Sequence, residues 1–337
     1  MLKLNYFLAD IFILSAEKQP IKLSWRKIEW LQKNSFHSGG IYLNSGRNAL
    51  EYILRSLPRI SKLWIPYFTC DVVLEPLRKL DILYGFYHIN EKLELCEDIQ
   101  LEPDEYFLVT NYYGIKDRYI QELSLKYSSR LIVDNAQALF AEPIQGVKSV
   151  YSPRKYVGIP DGGIAYIEAG LDINQYDRDV SYERCSHLLK RLDLGAGAGY
   201  VDFKKNSCKL QGQPIKRMSR LTQKLFQSID FEHIRNMRRD NFQLLHNCLS
   251  EANILSIPEL DSFSCPLVYP YYTNDYTLKK RLIENRIFVA TYWPNVLDWC
   301  SSETLEYKLA NGIIAIPLDQ RCTPNDMCKI SSLILNV

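Results

Sequence analysis

Short β-rich apolar runs recur from about Gly40 to Glu168, most of them leading into a turn and a segment of helical period. Gly40 to Leu43 runs into Asn44-Ser45-Gly46, and Arg47 to Leu57 then carries apolar residues at helical spacing until Pro58. Leu63 to Ile65 is the second run, followed by a helical pattern from Cys70 to Leu80 that Pro76 should kink. Ile82 to His88, Tyr106 to Thr110, Leu131 to Val133, Ser149 to Tyr151 and Ile164 to Ile167 complete the set, with a polar helix expected from about Asp117 to Ser128. Parallel strands need crossover connections, so this alternation predicts an α/β architecture: a mostly parallel seven-stranded sheet with helices on both faces. Ligands of such sheets bind beyond the carboxyl ends of the strands. That rule singles out Ser45-Gly46, Pro66 to Thr69, Asn111-Tyr112-Tyr113, Asp134 to Gln137 and Ser152 to Lys155.

The remainder reads differently. Gln175 to Gln213 is basic and aromatic and contains Gly195-Ala-Gly-Ala-Gly199, the composition of a flexible connection or a mobile gate. Arg217 to Leu249 has a helical period throughout and is expected to bridge two domains. Beyond it come an extended segment Ser264 to Tyr271, a helix Thr277 to Asn285, strands Ile287 to Thr291 and Ile313 to Ile316, and a helix after Thr323-Pro324. These predict a small α+β C-terminal domain. The expected division is 35–235 for the large domain and 236–337 for the small one, with 1–34 packing on either.

A chain of 337 residues with 47% hydrophobic and 24% charged residues buries a sizeable core and leads to an expectation of two domains. With 41 Lys plus Arg against 39 Asp plus Glu, it lacks the electrostatic footprint of a nucleic-acid binder. The nine cysteines are scattered with no Cys-x-x-Cys pair, as expected of free thiols in a reducing compartment. The apolar run Ile11 to Ala16 lacks a basic leader, and no run approaches the length of a membrane span, so a cytoplasmic protein without membrane insertion is expected. Five histidines, at 37, 88, 187, 233 and 246, show no metal-ligand spacing, and no metal is expected.

Lys155 follows the run Tyr151-Ser-Pro-Arg and precedes Gly158-Ile-Pro-Asp-Gly-Gly163, so its amine emerges where the chain turns from the sheet edge. A lysine desolvated there serves as a nucleophile toward a carbonyl; a solvated loop lysine is the plainer reading. Asp134, directly after Leu131-Ile-Val133, is placed to pair with a protonated ring nitrogen of pyridoxal phosphate, or to cap a turn. Gln137 either hydrogen-bonds the ring's phenolic oxygen or lines the following loop. Ser45-Gly46-Arg47-Asn48 opens a helix whose free N–H groups suit a phosphate, and Ser152 is placed to add a hydroxyl to it.

Together these parts resemble the DegT/StrS-type sugar aminotransferases, pyridoxal-phosphate enzymes of fold type I in the aspartate aminotransferase superfamily. The pieces are Ser45-Gly-Arg-Asn-Ala-Leu50, Ile65-Pro-Tyr-Phe-Thr69, Thr110-Asn-Tyr-Tyr-Gly114, Val133-Asp-Asn-Ala-Gln137 and Ser152 to Gly163. Weaker ones follow at Arg217-Met-Ser219, Leu282 to Ile287, Tyr292-Trp-Pro294 and Ile316-Pro-Leu318. The resemblance implies that Lys155 is the Schiff-base lysine and proton shuttle, that Asp134 holds the pyridine nitrogen and that Gln137 contacts the ring. Gly46, Arg47, Asn48 and Ser152 would serve the phosphate. The family's ring-stacking aromatic after Thr69 is replaced by Cys70, which leaves Tyr67 or Phe68 to stack. Val150 stands where the family has a serine, Pro160-Asp-Gly-Gly163 replaces Gly-Glu-Gly-Gly, and Ile215 replaces an asparagine that reaches a neighbouring subunit's phosphate. The implied function is amino transfer to a nucleotide-linked keto-sugar in surface-glycan biosynthesis, with glutamate as amino donor and a homodimer as the working unit. Two alternatives are a relative that has lost catalysis and serves as a binding or regulatory subunit, and another pyridoxal-phosphate reaction on a sugar. Sugar dehydration in the family goes with histidine at the lysine position, so Lys155 argues against it.

Overall fold

A computed structural model describes residues 36–336; the expectations for Ile11 to Ala16 and for 1–34 lie outside the described residues. The seven strands are β1 (Ile41–Leu43), β2 (Lys62–Pro66), β3 (Leu83–Tyr87), β4 (Glu105–Thr110), β5 (Leu131–Asn135), β6 (Lys148–Tyr151) and β7 (Gly163–Tyr166). They form one sheet in the order β1-β7-β6-β5-β4-β2-β3. β2, β3, β4, β5 and β6 pair in parallel, whereas β7 runs antiparallel to both β6 and β1.

Each central strand sends alternate side chains to opposite faces, so the sheet separates two apolar layers. Phe107, Val109, Leu131 and Val133 belong to one layer. Tyr106, Leu108 and Ile132 belong to the other, with Ala49, Leu50 and Ile53 of helix α1 (Gly46–Ser56). Ser45 caps α1 by accepting a hydrogen bond from the Asn48 N–H at 3.1 Å.

Pro76 does not kink its helix. The pattern from Cys70 to Leu80 divides into a 3-10 turn Asp71–Val73 and a short helix α2 (Leu74–Lys79), and Pro76 sits in the first turn, where an N–H has no intrahelical acceptor to lose. Helix α3 (Asp117–Tyr127) follows β4 as expected.

The Gln175 to Gln213 stretch is not a simple flexible connection, because it contains a helical hairpin, α4 (Ser186–Leu194) and α5 (Ala196–Lys209). Gly195, at φ 90°, makes the turn between them. Gly199 lies inside α5 because a Cβ there would fall 2.6 Å from the His187 carbonyl oxygen. Lys190 and Asp202 join the two helices at 2.7 Å.

The long helix expected from Arg217 to Leu249 is two helices. Ser219 caps α6 (Arg220–Gln227) and Asp230 caps α7 (Phe231–Leu249), each side chain accepting a backbone N–H. Periodicity carries on across such a break, so the pattern alone hides it. The expected domain boundary at 235/236 lies within α7.

The C-terminal part contains β8 (Tyr269–Tyr272), α8 (Leu278–Glu284), α9 (Val296–Trp299), α10 (Leu305–Gly312), β9 (Ile313–Ile316) and α11 (Pro324–Leu335). β8 and β9 form a separate antiparallel pair. The strand expected at Ile287 to Thr291 is reduced to one bridge, Ala290 to Ala315. Arg286 and Trp293 take φ values of 61° and 56°, which turn the backbone away at both ends of that run. None of the described helices is long and apolar enough to cross a membrane.

Candidate active site

The first two N–H groups of α1, those of Gly46 and Arg47, have no intrahelical acceptor, and Ser45 just before them bridges to Gly162. Two other segments crowd that end. The Gly162 N–H donates to the Asn44 carbonyl at 2.8 Å. A Cβ on Gly163 would lie 2.1 Å from the Ser45 carbonyl oxygen, so the double glycine is a steric requirement of this approach. From β6, Ser152 reaches the same place: its Oγ lies 3.7 Å from where a Gly46 Cβ would be. Backbone donors at a helix N-terminus and a neighbouring hydroxyl are the groups an anion cradle uses.

Lys155 ends the 3-10 turn Pro153–Lys155 that follows β6, and its side chain is exposed. Asp134 stands near the end of β5, where its carboxylate accepts the Ala136 N–H at 2.9 Å. Burial raises the Asp134 pKa, and the Lys155 charge opposes that rise. Cys70, just beyond β2, follows the same rule: burial pushes its thiol up and Lys155 pulls it down. One ammonium therefore influences groups that follow two distant strands, Asp134 and Cys70.

Gln137 is fully buried. Its Oε1 accepts the Tyr113 N–H at 2.9 Å, while its Nε2 has no partner among the described residues. Thr110, paired with Asp134 in register, has an unpartnered buried hydroxyl. An unpaired buried donor is costly, so such atoms mark places where a ligand supplies the missing partner. Tyr113 holds φ 56°, and its ring stacks on Trp293 at 6.1 Å and 30°; Trp293 is left-handed as well. Backbone strain of this kind concentrates at ligand sites.

Other residues singled out from sequence are engaged elsewhere. The Tyr67 ring stacks on Phe86 at 4.5 Å and lies against His88 at 4.7 Å, beside β3, so its face is already covered. Phe68 is buried against Tyr112 and Trp293. The Asn48 amide donates to Asn44 Oδ1 at 2.6 Å and to the Pro214 carbonyl at 2.8 Å, which leaves its side chain a structural tie. Arg47 pairs with Glu75 at 3.2 Å, leaving its backbone N–H for the cradle.

Sequence reasoning passed over Arg154. The residue is half-buried, its Nε and Nη2 are buried without a partner among the described residues, and nothing in periodicity distinguishes it from a solvated neighbour of Lys155. It also passed over the way Asn295 holds the Thr69 carbonyl at 2.9 Å and thus anchors the Cys70 loop.

The residues fit pyridoxal phosphate on three local observations: the start of a helix with a hydroxyl close to its first glycine, a buried amide donor without an acceptor among the described residues, and a carboxylate influenced by the charge of a lysine amine.

No family model and no curated protein matches the chain. Solved structures do. DesV from S. venezuelae, in complex with a ketimine intermediate, superposes with a TM-score of 0.58 at 14% identity, covering 88% of this chain and 84% of that one. A DegT DnrJ EryC1 StrS aminotransferase from Brucella abortus gives 0.56 at 15%, covering 88% and 85%. Spr1654 of Streptococcus pneumoniae, described as a sugar aminotransferase and solved in its PMP form, gives 0.60 at 12%, covering 87% and 86%. The chain has the fold that these aminotransferases share, the fold type I architecture implied by the resemblance.

Proposed function

We propose that this protein is a pyridoxal-phosphate aminotransferase that moves an amino group from glutamate to a nucleotide-linked keto-sugar. The observation that carries the reading is the Lys155 charge acting on Asp134 at the carboxyl end of the sheet, beside an anion cradle. When bound, the cofactor supplies an electron-withdrawing ring that acidifies the carbon–hydrogen bond next to an attached nitrogen.

The chain's own residues supply the rest. Lys155 Nζ would hold the cofactor through its aldehyde carbon and, when free, would serve as the base that moves the proton at the substrate carbon. Its exposure leaves an amino donor room to approach. Asp134, ionised, pairs with the ring N–H; burial disfavours an isolated carboxylate there, so a cationic partner lowers its energy. Gln137 Nε2 donates to the ring oxygen. The Gly46 and Arg47 N–H groups and the Ser152 hydroxyl would hold the phosphate.

A role in surface-glycan biosynthesis in the cytoplasm, as a homodimer, belongs to the same proposal.

Purified protein given pyridoxal phosphate should turn yellow, and glutamate with a nucleotide-linked keto-sugar should yield 2-oxoglutarate and an amino sugar. Lys155→Ala should stay colourless and lose about 10³-fold or more in turnover. A wild-type protein that remains colourless in excess cofactor would overturn the proposal. Colour without amino transfer would favour a binding subunit.

A further inference from the structure

We propose that Arg154 is the counter-cation of a phosphoryl group held at the N-terminus of α1. The identity of that phosphoryl group as the cofactor's rests on the reading above; the anion site itself does not.

Two arginines near this end of the sheet are each paired with a carboxylate. Arg47 Nε lies 3.2 Å from Glu75, and Arg184 Nη2 lies 2.6 Å from Asp179. Arg154 makes no ion pair among the described residues, and its buried Nε and Nη2 have no partner there. The carboxylate whose charge favours its protonated form is Asp161. Asp161 is already committed, since it accepts the Ser219 N–H at 2.8 Å, the Ser219 hydroxyl at 2.8 Å and the Thr222 hydroxyl. Burial and the charges of Arg47 and Arg184 lower the Arg154 pKa to about 10, which still leaves it cationic at neutral pH.

A buried cation without an anion is expensive, and breaking such a pair costs several kcal/mol in proteins generally. The site therefore gains when an anion enters. A second buried group is open in the same place. His187 is 7% exposed, its Nδ1 is unpartnered, and Arg154's charge lowers its pKa. Both side chains meet the Phe203 ring of α5: His187 edge-on at 5.8 Å, Arg154 with its guanidinium carbon 5.9 Å from the centroid.

Position selects the anion. Arg154 lies two residues after Ser152, whose hydroxyl stands over Gly46, and its charge is felt together with that of Arg47 in the first turn of α1. Helix N–H groups, a hydroxyl and a guanidinium together match the several oxygens of a phosphoryl group better than the two of a carboxylate. Ile215 stands where the resemblance puts a phosphate-reaching asparagine, so a cation within the same chain supplies what that position lacks.

The test uses the full chain and has two arms. In the first, inorganic phosphate should raise the thermal midpoint of wild-type apoprotein and fail to do so for Arg154→Met, with Arg154→Lys intermediate. Equal protection of wild type and Arg154→Met would overturn the proposal. In the second, absorbance titrations compare pyridoxal phosphate with pyridoxal, which has no phosphoryl group. Wild type should prefer the phosphorylated form by about 100-fold or more, and Arg154→Met should lose about 10-fold of that preference while binding pyridoxal unchanged. Unchanged pyridoxal binding also shows that the variant is folded. If phosphate protection is lost but the preference is intact, Arg154 serves a phosphoryl group other than the cofactor's, which overturns the cofactor assignment. A wild type that responds to phosphate but binds neither aldehyde sinks the aminotransferase reading and leaves the anion site standing.

Discussion

Asp117 and Asp134 are both buried enough for desolvation to raise their pKa values, yet their surroundings are opposite. Asp117 accepts side-chain hydrogen bonds from Asn111 and Ser264, and Asn111 also donates to Asn135 Oδ1, which closes the network. Asp134 has one backbone N–H and the charge of Lys155, and at the same end of the sheet the Thr110 hydroxyl, the Gln137 amide nitrogen and two Arg154 nitrogens lack partners among the described residues. Asp134 and Asn135 are neighbours on one strand and therefore face opposite sides of it. A buried polar cluster whose members satisfy one another is structural. One whose members do not satisfy one another awaits a ligand.

The contrast can be broken most directly at Asp134. Asp134→Asn should reduce amino-transfer turnover by about 10²-fold or more, since an amide supplies no charge to a ring N–H. The same change should raise the thermal midpoint of the apoprotein at neutral pH. The folded pKa of Asp134 lies above its unfolded value, so the wild type loses stability as pH rises from the ordinary carboxylate range, and the advantage of Asn should vanish on acidification. A drop in apoprotein stability instead would mean that Asp134 is structural like Asp117.

Gly163→Ala comes next. With a Cβ 2.1 Å from a backbone oxygen, it should destabilise by about 3 kcal/mol in urea unfolding and weaken cofactor binding together. Asp117→Ala should cost about 1–3 kcal/mol by leaving two donors unsatisfied, while cofactor affinity in an absorbance titration stays at the wild-type value. The smallest effect is expected at Gly197, where an added Cβ meets nothing within 4 Å. Gly197→Ala should stabilise by about 0.4–1 kcal/mol, a shift visible in the thermal midpoint, with no change in affinity.

The strands and the capped starts of α1 and α11 were legible because each depends on a few consecutive residues. Ser45, for example, announces a helix through an interaction three residues long. The α4–α5 hairpin was not legible. Its glycines look like a loop until Gly199 is seen to lie where α5 passes the His187 carbonyl. Nor was the break between α6 and α7, because the helical period runs through Ser228 to Asp230 without interruption. At the site, Lys155, Asp134, Gln137 and the Ser45-Gly46 turn were visible as motifs at strand ends. For Tyr67, the sequence shows an aromatic near the right strand end but not that Phe86 stacks on one of its faces.

By itself the sequence determined the succession of strands and helices, the strand ends at which polar groups gather, and the family it resembles. These are local properties, encoded in periods of two and 3.6 residues and in short motifs. Only the tertiary structure decided that one lysine's charge reaches both Asp134 and Cys70, that Gly163 must lack a side chain, and that Arg154 has no anion among the described residues. Through-space fields, steric exclusion and the saturation of a carboxylate depend on groups tens of residues apart, whose meeting no local pattern records.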